Sequence, residues 1–204
     1  MTQVFLASRN RKKIEEMERI LLEHLPDIEV LGIDDVEGYD EPVEDQATFE
    51  GNALLKARAG FAATGLPSLA DDSGLCVDAL NGMPGVLSAR WSGPPKSDDR
   101  NNELLLAQLA DVPDERRSAH FMCAVAFVHG DGPAYEQCAS GTMPGHVIRE
   151  CRGSGGFGYD VLFVAEDRPG LTTAELSRED KDAISHRGWA LRRMAPIVAR
   201  ILGG

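Results

Sequence analysis

The sequence is short of several things, and each shortage removes a class of function. No apolar run approaches the roughly 18 residues that a membrane-spanning helix needs, so no membrane partner is expected. No basic flank precedes Val4, Phe5 and Leu6, so the start of the chain reads as a first strand and not as an export signal. The four cysteines, Cys76, Cys123, Cys138 and Cys151, include no C-x-x-C pair, which argues against a zinc or dithiol redox site. Buried thiols in a reducing, cytoplasmic setting are the expectation. Positive charge is scarce: 21 Lys and Arg against 33 Asp and Glu leave a net charge of −12. Such a surface repels polynucleotide phosphates, so no nucleic-acid polymer is expected as a partner. A small anion needs only a local basic pocket, and Arg9, Arg11, Lys12 and Lys13 cluster in one short stretch.

What is present suits one domain over residues 1–204, with 43% hydrophobic residues to fill a core. Residues 3–8 read as a buried strand, and Ile14, Met17, Leu21 and Leu25 recur at helical spacing, predicting a helix over 11–25 with Ser8 or Asn10 as its cap. A short strand over 28–32 and an acidic loop over 34–45 follow. Thr48 is placed to cap a helix over 49–63 that closes at Thr64-Gly65, and Ser97 a helix running to Leu109. Strands are expected at 119–129 and 134–141, joined through Gly130-Asp131-Gly132, then at 146–149 and 159–165. Ser177-x-x-Asp180 resembles a capping box before a last helix over 179–202. An early βα pattern with a later hairpin predicts an α/β protein with a mixed sheet.

Four stretches look chemical. In "LASRNRKK" a strand runs into a helix start, where partial positive charge makes four cations unfavourable unless an anion sits among them. The alternative is a solvated basic face; a Walker A loop is excluded because its glycines are missing. In "LADDSGL" two acids stand in an apolar strand and must be paired, protonated or bound to metal. Neighbouring strand residues face opposite ways, so Asp71 and Asp72 should do different jobs; hard oxygens of this kind suit Mg²⁺, and a surface turn is the alternative. "GSGGFGYD" carries the Gly153-x-Gly155-x-x-Gly158 spacing of a dinucleotide fingerprint, which works only when a helix leaves the glycines. Tyr159 to Val164 read as a strand, so the glycines instead suit a flexible turn, or a loop approaching a ligand with Phe157 as a stacking face. In "KDAISHRGWALRR" a continuous helix places Lys181, Ser185 and Trp189 on one face beside His186 and Arg187. These offer donors to a ligand or are plain surface residues.

In order and spacing, "LASRNRKK", "TFEGNALLKA", "ADDSGLCVDALNGMPGVLSARWSG", "GFGYD" and "AELSREDKDAISHRG" resemble the inosine triphosphate pyrophosphatase family, the dITP/XTP pyrophosphatases that remove non-standard purine nucleotides. The resemblance covers essentially the whole chain. It implies an α/β fold with a mixed elongated β-sheet, flanking helices, two lobes and a central active-site cleft, assembled as a homodimer. It implies Mg²⁺-dependent hydrolysis of dITP, ITP or XTP to the monophosphate and pyrophosphate. Carried over by block, Ser8, Arg9, Asn10, Arg11, Lys12, Lys13 and Lys56 would contact the phosphates, and Ser73 the substrate. Asp72 would be general base and metal ligand, and Glu44 the other ligand. Phe157, Gly158, Tyr159, Asp160, Lys181, His186 and Arg187 would hold the base. The chain departs from the family pattern at Gln46, where Gly is usual, and at Gly51, where an acid is frequent. Val161 and Cys151 stand where Pro is common. A Maf-like pyrophosphatase of other base specificity and a catalytically silent nucleotide-binding protein are the competing readings.

Overall fold

Spacing alone accounts for the first elements. Val4, Phe5 and Leu6 are the buried residues of β1 (Thr2–Leu6), and Ile14, Met17 and Leu21 form the buried stripe of α1 (Arg11–Leu22). The computed structural model describes residues 2–203, and the side chain of Lys12 lies outside the described residues. α1 stops short of Leu25 because the N–H groups of His24 and Leu25 both turn back onto the carbonyl of Leu21, ahead of Pro26. β2 (Ile28–Leu31) then runs parallel to β1.

α2 (Phe49–Thr64) begins at Thr48, whose Oγ1 accepts the Gly51 N–H at 3.0 Å, and ends on Gly65 in the left-handed region at φ 67°. Its buried stripe is Phe49, Asn52, Ala53, Lys56, Ala57 and Gly60, so two polar side chains stand inside an apolar helix face. β3 (Ser68–Val77) contains the whole of "ADDSG" as extended strand, which removes the surface-turn alternative. β4 (Met83–Pro84), α3 (Asp98–Gln108, capped by Ser97), β5 (Ser118–Val128), β6 (Glu136–Val147), β7 (Phe163–Ala165), α4 (Arg178–Ile184) and α5 (His186–Leu202) complete the chain.

Among the described residues, seven strands form a mixed sheet in the order β2-β1-β3-β5-β6-β7, with β4 on β3. β1 is parallel to β2 and β3, whereas β4 and β7 are antiparallel to β3 and β6. The fold is therefore α/β with a mixed sheet and accompanying helices, as expected. The chain divides into two compact units. The first comprises the residues up to Asp72, Cys123–Ser140 and the chain from Trp189 on; its core includes Val4, Leu6, Ile14, Leu21, Leu69, Phe127, Leu191 and Val198. The second comprises Ser73–Met122 and Gly141–Gly188; its core includes Leu75, Leu105, Phe121, Met143, Leu162 and Phe163.

Several expectations need correction. The strand expected at 159–165 starts only at Phe163, because Asp160 turns inward and bonds the Phe157 N–H at 2.8 Å, which folds 157–160 into a turn. The separate strands expected at 134–141 and 146–149 are one strand, β6. The helix expected over 179–202 breaks at Ser185, which is extended (ψ 141°) and whose Oγ accepts the Gly188 N–H at 3.0 Å. The thiols also divide: Cys76 and Cys123 are buried, whereas Cys138, on an outward position of β6, and Cys151, in the loop beyond it, are exposed.

Arg117 carries no expected role, yet it is 2% exposed. Its guanidinium donates to the carbonyl oxygens of Leu109, Val147 and Ile148 at 2.7, 2.8 and 3.0 Å. Burial and the nearby Arg149 lower its pKa, against the pull of Asp114. It is an internal strut of the second unit.

Candidate active site

In the first unit, the end of β1 and the start of α1 are held beside β3. Leu6 lies opposite Leu69, and the Ala7 N–H bonds the Leu69 carbonyl at 2.9 Å. Ser8 then accepts the Asn10 N–H on its hydroxyl at 3.1 Å, and the Asn10 carbonyl accepts from Ile14 as the helix begins. Lys13, on the first turn, reaches the Asp71 carboxylate at 2.9 and 2.7 Å. Arg9 pairs at the surface with Asp34 at 2.8 Å, and Arg11 is exposed. Lys12 belongs to the same turn, but its side chain lies outside the described residues.

The two acids of β3 part as strand geometry requires. Asp71 is 5% exposed and takes Lys13. Asp72 is half-buried, and its Oδ2 accepts from Asn52 Nδ2 at 2.9 Å. One turn further along α2, Lys56 Nζ lies 2.5 Å from Glu44 Oε1. Burial raises the Asp72 pKa, and Glu44 and Asp71 raise it further, against the opposing pull of Lys56 and Asn52. Burial works against the charge on Lys56, but Asp71, Glu44 and Asp72 outweigh it and raise its pKa. The unit thus holds acids and bases interleaved, with Arg9, Lys13 and Lys56 resting on carboxylates.

Among the described residues, no three His, Cys, Asp or Glu side chains converge as a ready-made metal cage. Mg²⁺ does not require one, since it keeps waters and takes one or two carboxylates together with phosphate oxygens. Asp72 and Glu44 are hard oxygen donors; burial first, and then the nearby Glu44 and Asp71, raise the Asp72 pKa, and a divalent cation offsets both. The residues fit the ion.

In the second unit, the "GSGGFGYD" loop depends on Gly153, Gly156 and Gly158 at φ 84°, 73° and 61°, a region that side chains disfavour. Asp160, 4% exposed, is its hub. One oxygen accepts the Phe157 N–H at 2.8 Å and Lys181 Nζ at 2.5 Å; the other accepts the Thr173 hydroxyl at 2.8 Å. The Gly158 carbonyl accepts from Asn102 at 2.9 Å, and its N–H donates to Asp98 at 2.7 Å. Tyr159 is buried, and its hydroxyl donates to the Ser88 carbonyl at 3.0 Å. Phe157 is thereby pushed outward, 61% exposed, with Lys181 Nζ 5.4 Å and the Arg187 guanidinium 6.0 Å from its ring centre. His186 stacks on Phe121 at 5.0 Å. Ser73, half-buried on β3, belongs to this unit as well.

Residues 4–197 match the model of the Ham1 family. The chain belongs to the Ham1 family. This Ham1 chain is 56% identical over 202 residues to a dITP/XTP pyrophosphatase of Nocardia farcinica, covering 98% of this chain and 97% of that one. It is 52% identical over 207 residues to a dITP/XTP pyrophosphatase of Mycobacterium tuberculosis, covering 100% and 98%. Among solved structures, a HAM1 protein from Coxiella burnetii superposes with a TM-score of 0.90 at 38% identity, covering 98% of this chain and 100% of that one. The nucleoside-triphosphatase / dITP/XTP pyrophosphatase of Mycobacterium abscessus gives 0.80 at 50% identity, covering 97% and 100%.

Within this Ham1 chain, several polar partners of the expected site residues escaped the sequence reading, among them Asp98 and Asn102 on Gly158. Asn52 bridges to Asp72, and Thr173 braces Asp160. Asn52 had a readable signal: it interrupts the apolar face of α2 at the position between Phe49 and Lys56. Thr173 had none, since its partner is set by tertiary packing alone. The departures at Gln46 and Gly51 fit each other. A side chain begun at Gly51 would place its Cβ 2.8 Å from the Cβ of Gln46 and 3.2 Å from Thr48 Oγ1.

Proposed function

We propose that this Ham1 chain is a Mg²⁺-dependent nucleoside triphosphate pyrophosphatase. It hydrolyses non-standard purine nucleotides (dITP, ITP and XTP) to the nucleoside monophosphate and pyrophosphate, clearing them from the nucleotide pool. The observation that carries the reading is Asp72, a half-buried acid of raised pKa, oriented by Asn52 beside Glu44 and Lys56. The name shared by the relatives supports it.

Asp72 acts as general base. It takes a proton from a water whose oxygen bonds to the α-phosphorus; a base of raised pKa matches that task near neutral pH. The bond from the α-phosphorus to the bridging oxygen breaks, and pyrophosphate leaves with the electron pair. Asp72 and Glu44 would hold Mg²⁺, which would supply charge neutralisation during the displacement. Lys13 and Lys56 leave Asp71 and Glu44 for the phosphates and stabilise the leaving group. Ser8, Asn10 and Arg11 at the start of α1, with Arg9 and Lys12, take the remaining phosphate oxygens, and Ser73 contacts the substrate.

The base is assigned to the "GSGGFGYD" loop and to the residues around the start of α5. Phe157 stacks on the purine, Tyr159 and Asp160 hold the loop that presents it, and Gly158 lets the backbone approach. Lys181, Arg187 and backbone N–H groups near His186 offer donors. Hypoxanthine and xanthine accept at their C6 keto oxygen, whereas the adenine amino group would leave those donors unsatisfied. GTP shares the keto group, so its exclusion falls to the 2-amino position. We further propose a cytoplasmic homodimer, which sedimentation of the purified protein tests.

Hydrolysis of ITP in ¹⁸O-labelled water tests the chemistry. Attack at the α-phosphorus places the label in IMP and leaves pyrophosphate unlabelled. Label in pyrophosphate, or orthophosphate as the product, would overturn the reading.

A further inference from the structure

Asn52 is completely buried, in the first turn of α2. Its Oδ1 accepts the Gln46 N–H at 3.0 Å, and its Nδ2 donates to Asp72 Oδ2 at 2.9 Å. The partners fix which way the amide points: a backbone N–H can only donate, and an ionised carboxylate can only accept. The helix beneath is held by the Thr48 cap and by the Asn52 N–H on the Thr48 carbonyl at 3.1 Å. One turn on, Lys56 of the same stripe holds Glu44.

We propose that Asn52 is a positioning residue for the hydrolytic step. Its single carboxamide joins the loop that carries Glu44 to the strand that carries Asp72, and it fixes the Asp72 carboxylate in the rotamer that meets the water. α2 is then a ruler: Asn52 sets one acid, and Lys56, four residues on, holds the other until phosphate draws it away. Asparagine suits the place because it carries a donor and an acceptor on one rigid plane. Asp would present an acceptor to Asp72, and Leu would present nothing to either partner. The inference rests on the reading of Asp72 as the base.

The test is a double-mutant cycle on ITP hydrolysis at saturating Mg²⁺, with wild type, Asn52→Leu, Asp72→Asn and the double variant, each checked for native melting. Misplacing the base predicts a kcat lower by about 10²-fold for Asn52→Leu, with KM within about two-fold of wild type because the phosphate contacts are untouched. Added to Asp72→Asn, the change should lower kcat no further, since the group it positions is already gone. If Asn52→Leu does not fold, Asn52→Ser, which vacates the space, carries the same cycle. A folded Asn52 variant with near wild-type kcat overturns the inference while Asp72→Asn is inactive, and so do losses that multiply in the double variant. Near wild-type turnover by Asp72→Asn is a different failure, since it removes the base assignment itself and this inference with it.

Discussion

Asp160 is the residue whose loss should reach from loop geometry to substrate affinity. It is 4% exposed and carries the Phe157 N–H, the Thr173 hydroxyl and Lys181. Asp160→Ala takes the carboxylate away from all three donors. Breaking a buried ion pair from one side costs about 3–5 kcal/mol. Lys181 is 21% exposed and can turn to water, which places the cost at the lower end. Thr173 keeps a second acceptor in the Asp160 carbonyl at 3.2 Å, so it adds little. We predict a loss of about 3–4 kcal/mol, which in a chain of this size lowers Tm by roughly 6–16 °C. Asp160→Asn behaves differently. Its amide oxygen still accepts from Phe157 or Lys181, and its NH₂ donates to Thr173 Oγ1. Only the charge of two bonds is lost, about 1–2 kcal/mol. Thermal melts of the three proteins, with KM for ITP, separate these. KM should rise more in the Ala than in the Asn variant, because Phe157 is presented by this loop. An Ala variant melting within about 2 °C of wild type, or equal effects of Ala and Asn, would refute the hub role.

Two further outcomes are expected. Gly51→Glu should cost about 1–3 kcal/mol by overpacking against Gln46, and Gln46→Gly in the same chain should return most of it; an equal cost with and without Gln46→Gly would show that the two positions are not coupled. In metal-free protein, Asp72→Asn should stabilise the fold by about 1 kcal/mol at neutral pH, roughly 2–4 °C in Tm. The sign follows from the raised folded-state pKa of Asp72. Protonation favours the native state below the unfolded pKa, that contribution is lost as pH rises through the folded pKa, and above it the ionised group is a net cost that Asn lacks. The difference between the two proteins should therefore shrink towards acid pH; a destabilised variant, or a difference that ignores pH, contradicts the assignment.

How much of this was readable in the residues varies with how local the cause is. The βα start needed only the spacing of Ile14, Met17 and Leu21, and α2 needed only Thr48, Gly65 and the stripe between them. The strand nature of "ADDSG" followed from its apolar flanks. Non-local causes were missed. Tyr159 to Leu162 have strand-like side chains, yet Asp160 bends them through bonds to Thr173 and Lys181, which are far along the chain. Ser185 breaks the last helix by capping its second half, although nearby Ala, Ile and Leu favour continuity. Glu44 was placed only by its distance from the next block, and its loop is oriented by Lys56 and Asn52 from α2. Arg117 carried no local signal, because the three carbonyls that take it come from just past α3 and from the end of β6.

Substrate choice is the most direct test of the proposed activity. Pyrophosphate release from ITP and ATP in excess Mg²⁺, compared as kcat/KM, measures it in one assay. Donors matched to a keto oxygen and left unsatisfied by an amino group predict a preference for ITP of at least about 10²-fold, within the up to ~10⁴–10⁵-fold that such hydrogen-bond readout can reach. Equal kcat/KM on ATP and ITP, or no pyrophosphate from ITP, would contradict it.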